Sequence, residues 1–482
     1  MWCGRVAPAD VSEILAPPSD SHSEIRCAFT RAHCQTPALP FAPESPTNTG
    51  AKTTTNTTLL LDYRATDNAD GFFVRALLTI TGNAPPSENR TPLNLALVLD
   101  RSGSMRGEKL GAACSAAANL VRRLSPDDKV SVIAFDHEVD VIADASLPPG
   151  TKSVADQILD IHARGETNLS GGWLRGRELL AATKTERSAT RLVLMTDGQA
   201  NNGITDRAQL ARLCATAREL GITTSTIGFG ADYDEDLLKA MADSGGGNAW
   251  YIERTDQAQD VFGEELAGLL SLSAQNLSVT VKPARRVEFV GILNDYPSYP
   301  VPGGVRVELG DLYAREPRRL LIEFIVPGVP SVSGGPAGNT PVASLIVSGA
   351  VLLPDGAVEQ RMATFSVARN LDAAGHVEPM IEREVLLAKA AHARDEAAKH
   401  RERGEIRESS QLLREAAAEL GSSAFAGELD LQDQVRDLEA MAERMREEAI
   451  DGRDIKYLKQ RAYNQRRGKA GYERSLRRPD GE

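Results

Sequence analysis

The sequence predicts an α/β protein: a doubly wound, mostly parallel, Rossmann-like sheet inserted in an antiparallel β-sandwich and followed by a C-terminal helical region. Three features of the chain predict it. From Leu93 onward, near-continuous apolar runs alternate with amphipathic stretches, the texture of strands covered on both faces by helices. On either side of that region lie strand-like segments with turn residues at regular spacing, which suits an antiparallel sandwich. From Glu378 the composition turns to Ala, Glu, Arg and Leu with apolar positions at helical spacing. At 482 residues, the chain is long enough for roughly two or three domains, each with its own core.

Residues 1–56 are rich in Pro, Ser, Thr and Asn and lack periodicity, so a disordered leader is expected there, or a start codon set too early. The runs TLLLDYRA and GFFVRALLTIT, between Thr58 and Thr81, have the β-branched and aromatic content of strands around an Asp-Asn-Ala-Asp-Gly turn. A hairpin of that size is unstable alone, so it is expected to join later strands. The sandwich then comprises 57–90 plus 276–370, with the α/β domain at 91–275 between its two parts. Within the α/β domain the strands read LNLALVLD, KVSVIAFD, RLVLMTDG, TTSTIGFG and NAWYIER. Helices are predicted at Glu108–Arg123, Thr151–His162, Gly172–Thr183, Arg207–Leu220, Tyr233–Ser244 and Ala258–Leu272. EVDVIADA follows its predecessor without room for a crossover and should pair antiparallel at an edge.

LSVTVKP, RVEFVGIL, VRVELGDL, RRLLIEFIVP, ASLIVSGAVLL and QRMATFSVA supply the later sandwich strands. Residues 376–482 read as a helical hairpin broken at Gly404, a third helix over Leu429–Glu448, and a basic C-terminal tail. The tail, DIKYLKQRAYNQRRGKAGYERSLRRPDGE, is expected to be a solvated helix with a frayed end; its interleaved Tyr and Arg leave nucleic acid or an acidic protein surface as the other option.

The formal charge of -12 disfavours nucleic acid and anionic lipid as general partners and leaves protein as the expected class. Cys3, Cys27, Cys34, Cys114 and Cys214 form no CxxC pair, as in a reduced compartment, and Cys114 and Cys214 fall in helical stretches where a thiol acts as a small core residue. The N-terminus lacks the pattern of a secretory signal. The longest apolar stretch, Ala343–Leu353, is broken by Ser344, Ser348 and Gly349 and is too short for a membrane span. A cytoplasmic protein is expected.

The first α/β strand ends at Asp100 and runs into DRSGSM, placing Asp100, Ser102 and Ser104 on one loop at the strand's C-terminal end. Ligand sites in open α/β sheets lie at that edge. One carboxylate and two hydroxyls at alternate positions can converge on a hard cation, and Gly103 lets the loop curl. Taken alone, the pattern is also that of turns and helix caps. Two further loops alter the balance: RLVLMTDGQ ends at Asp197 followed by Gly198, and GETNLSGG offers Thr167 just before a helix.

This set of Asp-x-Ser-x-Ser, Thr and Asp resembles the metal-ion-dependent adhesion site of von Willebrand factor A domains and integrin inserted domains, over Leu93 to about Leu272. The resemblance implies Asp100, Ser102, Ser104, Thr167 and Asp197 as the metal site, with hydroxyls ligating directly and one or both aspartates through water. It implies Mg²⁺, with Mn²⁺ or Ca²⁺ as substitutes. It also implies a partner protein whose Asp or Glu fills the coordination position left open. More loosely, the architecture is similar to bacterial proteins with this domain set between strands and to inter-α-trypsin inhibitor heavy chains; by that analogy an AAA-type ATPase is a candidate partner. Glu166 departs from the small residue that the family often has beside the Thr.

No enzyme is expected. A metal-assisted hydrolase needs a positioned base, and His137 and His162 lie off the three loops; an aspartyl phosphatase wants Asp where Ser102 stands. GSMRGEKL lacks P-loop spacing, and GFGADYD lacks the last Gly of a dinucleotide fingerprint. The alternatives to an adhesion-type module are therefore a metal-assisted hydrolase, betrayed by turnover, and a scaffold whose metal only stabilises the fold.

Overall fold

The structure is a computed structural model and describes residues 55–65, 71–82, 90–146, 153–198, 200–230, 233–294, 296–314, 316–327, 340–353, 357–369, 377–446 and 452–466. The early β-branched runs form β1 (Thr55–Ala65) and β2 (Gly71–Gly82). Strand β1 thus begins inside the stretch expected as a leader; the rest of that stretch, and most of the turn expected between the two strands, lie outside the described residues.

The α/β region contains, in order, β3 (Leu93–Asp100), α1 (Glu108–Arg122), β4 (Lys129–Phe135), β5 (Val139–Ala143), α2 (Val154–Leu159), α3 (Leu169–Thr183), β6 (Ala189–Thr196), α4 (Arg207–Glu219), β7 (Ile222–Phe229), α5 (Glu235–Gly245), β8 (Gly246–Ile252) and α6 (Ala258–Leu270). Its sheet runs β5-β4-β3-β6-β7-β8, parallel throughout except for β5, which pairs antiparallel with β4 as its short connection requires. Every residue of β3 is buried. Leu95, Leu97 and Leu99 face α1 and α6 in one cluster, while Ala96 and Val98 face α3, α4 and α5 in another. That two-sided burial is why the strand reads as a continuous apolar run. Strand order reverses at β3, whose neighbours β4 and β6 follow it in sequence on opposite sides, so Asp100 ends at the topological switch point.

The expected helices are present with shifted ends. Helix α3 starts at Leu169, earlier than predicted, because the Asn168 side chain accepts a cap bond from the Gly171 amide at 2.9 Å. Helix α2 is a short piece capped by Ser153. Cys114 and Cys214 are buried, and burial pushes their thiols up to about 11 and about 12.

The remaining strands are β9 (Leu272–Pro283), β10 (Glu288–Ile292), β11 (Ser298–Val301), β12 (Gly304–Tyr313), β13 (Arg318–Pro327), β14 (Thr340–Leu352) and β15 (Val358–Arg369). They form two antiparallel sheets, β1-β2-β13-β10 and β11-β12-β9-β14-β15. Strand β2 pairs along its length with β13, from Arg318↔Ile80 to Pro327↔Gly71, so strands from before and after the α/β region share one sheet. Val74, Ala76, Leu78 and Ile80 of β2 pack with Ile322 and Phe324 against Val279, Val281, Val307 and Leu345 of the other sheet. Two details differ from expectation. Strand β9 begins at Leu272, ahead of the expected limit at 276, because only Ser271 separates it from α6. Strand β11, an edge strand containing Pro300 and pairing only with β12, was not predicted; Pro withholds a ladder donor and masks the pattern.

The C-terminal helices are α7 (Pro379–Glu402), α8 (Ile406–Gly421), α9 (Leu429–Arg446) and α10 (Gly452–Arg466). Gly404, at φ 81°, makes the turn between α7 and α8. Helix α7 lays Ile381 and Val385 on Leu77 and Leu321, covering the outer face of the four-stranded sheet. The expectation of a solvated basic helix is corrected by α10. Leu458 and Ala462 are fully buried, and Lys456 and Tyr463 nearly so. Lys456 Nζ donates to the Tyr233 carbonyl at 2.7 Å, lies 3.8 Å from the centre of the Tyr233 ring and pairs with Glu235 at 2.8 Å. Gln460 donates to the Ala249 carbonyl at 3.0 Å. The basic residues face inward because α5 and β8 supply acceptors for them, information absent from the helix's own pattern. Residues 467–482 lie outside the described residues.

Candidate metal centre

The site is built on the loop after β3. Its backbone is stapled: the Arg101 amide donates to the Phe135 carbonyl at 2.9 Å, the Gly103 amide to the Gly165 carbonyl at 3.0 Å, and the Arg164 amide to the Arg101 carbonyl at 2.8 Å. Gly103–Met105 form one 3₁₀ turn anchored by Met105, which is buried in the core. Asp136 ties the neighbouring loops together, accepting from Arg101 Nε at 2.8 Å, Arg164 Nε at 2.6 Å and the Glu138 amide at 2.7 Å. Burial pushes the Asp136 carboxyl up, but these donors together hold it below the usual carboxylate range. The loop bearing Thr167 passes so close that a Cβ on Gly165, itself at φ 67°, would lie 2.1 Å from His137 Nδ1.

Four of the five expected residues form one hydrogen-bonded chain. Asp100 Oδ1 accepts from the Ser102 amide at 2.7 Å; Ser102 Oγ and Ser104 Oγ are 3.0 Å apart; Ser104 Oγ donates to Asp197 Oδ1 at 2.6 Å. Thr167, the fifth, is brought in from the side. A Cβ built on Gly198 would lie 3.3 Å from Thr167 Oγ1 and 3.9 Å from Asp100 Oδ2, so the bare Cα of Gly198 faces the space these side chains share. Asp100, Ser102, Thr167 and Asp197 are buried, whereas Ser104 is exposed and marks the open side. Glu166 is exposed.

Three supporting residues were not singled out from the sequence. Thr196 Oγ1 donates to Asp100 Oδ2. Asn201 Oδ1 accepts from the Thr167 amide at 3.1 Å. Lys109 Nζ lies 2.5 Å from Asp197 Oδ2. Only Thr196, adjacent to Asp197 at a strand end, carries a local signal; the others arrive through tertiary placement.

Burial pushes the Asp100 carboxyl up to about 6 against the pull of its Thr196 and Ser102 hydrogen bonds, and the Asp197 charge adds to the rise. Two buried carboxylates are costly unless cations compensate them, and Lys109 compensates only one of the two charges, which leaves the cluster net negative for an incoming cation. The donor set fits a hard divalent ion. Adjacent oxygens of an octahedron with arms of ~2.1 Å lie roughly 3 Å apart, close to the Ser102–Ser104 and Ser104–Asp197 separations of 3.0 and 2.6 Å. A second acidic group, Asp136, His137 and Glu138, lies nearby, but two arginines already neutralise its buried member.

A family model for the von Willebrand factor type A domain matches residues 94–264. Among sequence relatives, the chain is 32% identical to the uncharacterized protein sll0103 of Synechocystis sp., over 51% of this chain and 60% of that protein. It is 28% identical to the uncharacterized protein YfbK of Escherichia coli, over 50% of this chain and 43% of that protein. It is 30% identical to inter-alpha-trypsin inhibitor heavy chain H1 of Mesocricetus auratus, over 39% of this chain and 22% of that protein. The matched region thus spans less than two thirds of each relative's own length.

Two solved structures share the fold across most of the chain. The von Willebrand factor type A protein from Catenulispora acidiphila matches with a TM-score of 0.64 at 17% identity, covering 84% of this chain and 96% of that one. The ArnB paralog VWA2 from Sulfolobus acidocaldarius matches with a TM-score of 0.55 at 15% identity, covering 86% and 98%. The family match, the switch-point loops and the sheet order agree. Residues 94–264 of this chain form a von Willebrand factor type A domain.

Proposed function

We propose that this protein is a divalent-metal-dependent protein–protein interaction module of the adhesion type, without catalytic activity. The observation that carries the reading is the convergence of Asp100, Ser102, Ser104 and Asp197, with Thr167 beside them, at an exposed sheet edge whose open side is marked by Ser104. Domains of this family generally mediate protein interaction and adhesion. Mg²⁺ is the proposed ion, Mn²⁺ and Ca²⁺ its substitutes, and a bound ion would supply Lewis acidity with a coordination position for an outside carboxylate.

In this reading Ser102, Ser104 and Thr167 hold the ion as neutral donors, while Asp100 and Asp197 compensate its charge from the buried side. Neutral donors leave it electropositive toward solvent, which favours a partner's Asp or Glu; an AAA-type ATPase is one candidate for that partner. The domain limits belong to the same proposal: the interaction domain at 91–275, carried by a sandwich of 57–90 plus 276–370 and backed by helices over 376–482. Hydrolysis is the weaker reading. His137 touches Asp136, at 3.1 Å, and lies off the three metal loops.

The test is affinity capture from native lysate with Mg²⁺ present. Partner proteins should elute with EDTA, rebind when Mg²⁺ is restored, and be absent from a parallel capture with a folded Asp100→Ala variant. Capture that is indifferent to both EDTA and Asp100→Ala would move the interaction to the sandwich or the helices.

A further inference from the structure

Among the described residues, Lys109 is the cationic side chain in contact with the candidate metal centre. It divides the Asp197 carboxylate: Oδ1 accepts from Ser104 Oγ at 2.6 Å, on the side of the hydroxyl cluster, while Oδ2 meets Lys109 Nζ at 2.5 Å. This is not a pairing of two solvated side chains, since the Asp197 side chain has no exposed surface and that of Lys109 is 31% exposed. The lysine is held in place. It sits in the first turn of α1 and stretches past Gly230 of the loop after β7, where a Cβ would lie 3.5 Å from both Cε and Nζ. Because Lys109 and Ser104 engage different oxygens of Asp197, an ion among Ser102, Ser104 and Asp197 Oδ1 would leave the lysine contact intact.

The consequence follows from counting charge. Asp100, Asp197 and Lys109 sum to a net single negative charge, so a divalent ion leaves the loaded site positive. Without the lysine, the same ion would be balanced by the two carboxylates. An ammonium one carboxylate away from the ion repels it. The same ammonium raises the potential that an incoming ligand meets at the open side.

We propose that Lys109 sets the charge of this site, weakening its hold on the metal and sharpening the loaded site's selectivity for an anionic oxygen ligand over a neutral one. The inference rests on the metal-binding reading above and adds a specificity-determining residue to it. Opposite effects on metal and anion are its signature, because a residue that merely braced Asp197 would weaken both when removed.

The experiment uses the full chain as wild type, Lys109→Met and Lys109→Arg. Mn²⁺ affinity is read from the free-ion EPR signal, and ligand preference from broadening of ¹³C-acetate against ¹³C-acetamide by the bound ion. Lys109→Met should bind Mn²⁺ about tenfold more tightly and show a severalfold smaller preference for acetate, while Lys109→Arg should keep wild-type behaviour in both. If Lys109→Met does not fold, Lys109→Gln should give the same signs. Equal or weaker Mn²⁺ binding by the neutral variants, or an unchanged acetate preference, overturns the proposal while leaving the metal site standing. A wild type that binds no Mn²⁺ overturns the metal reading itself and this inference with it.

Discussion

Gly198 shows how tightly the metal loops are drawn. Its backbone lies outside the left-handed region, so alanine is conformationally acceptable there, yet the new Cβ would sit 3.3 Å from Thr167 Oγ1, tight enough that the threonine hydroxyl must shift, and 3.9 Å from Asp100 Oδ2, within the space the metal would share. Gly198→Ala should therefore change global stability by no more than about 1 kcal/mol while weakening Mn²⁺ binding severalfold. Thermal unfolding and a metal titration on the same sample check both halves. At this scale, the sequence makes Asp100, Ser102, Ser104, Thr167 and Asp197 legible because each sits at a strand end or helix start whose position an apolar run fixes. Lys109 and Asn201 are not legible. Their roles depend on which loops meet across the sheet edge, and no local pattern distinguishes them from solvated residues.

At the scale of elements, α10 inverts the expectation drawn from its composition. A helix rich in Lys, Arg and Tyr reads as solvated, but its buried positions are decided by the acceptors on α5 and β8. Glu235 records the docking. Burial pushes its carboxyl up, yet the Lys456 and Lys459 ammoniums together hold it below the ordinary Glu range. A depressed folded-state value means that the stabilisation is present above the unfolded-state value and is lost as pH falls through the folded one. The stability difference between wild type and Glu235→Gln should thus be measurable at pH 7 and vanish at pH well below about 4. Denaturant unfolding at a series of pH values reads it directly; a difference that persists unchanged in acid would contradict the pairing. The core strands of the α/β sheet are legible for the opposite reason: every residue of β3, β6 and β7 is buried, and in β3 and β6 most of those residues are apolar.

Across the whole molecule, the α/β sheet and the five-stranded sheet are joined by buried polar contacts. Arg191 of β6 pairs with Asp311 of β12, both almost wholly buried. Beside them Asn248 Nδ2 donates to Glu265 at 2.8 Å and to Tyr313 OH at 3.2 Å. Removing one partner leaves an uncompensated buried charge, so Arg191→Met should cost about 3–5 kcal/mol, and Arg191→Met with Asp311→Leu should recover much of it. Equilibrium unfolding of the two single variants and the double variant measures the coupling. The sequence points to a sandwich around the α/β region, since a lone hairpin at about Thr58 to Ile80 needs later partners. It could not show this seam, because Arg191 and Asp311 look like ordinary strand-end charges until the sheets are brought together.

The central claim is that the three loops at the switch point hold a divalent ion. Isothermal titration of Mg²⁺ into the full chain, alongside the Asp100→Ala, Asp197→Ala double variant, tests it most directly. The account predicts saturable binding of a single ion by the wild type and none by the variant, with both proteins giving the same circular dichroism, because the site lies at the sheet edge and its loss should not open the core. Undiminished Mg²⁺ binding by the folded double variant would contradict it.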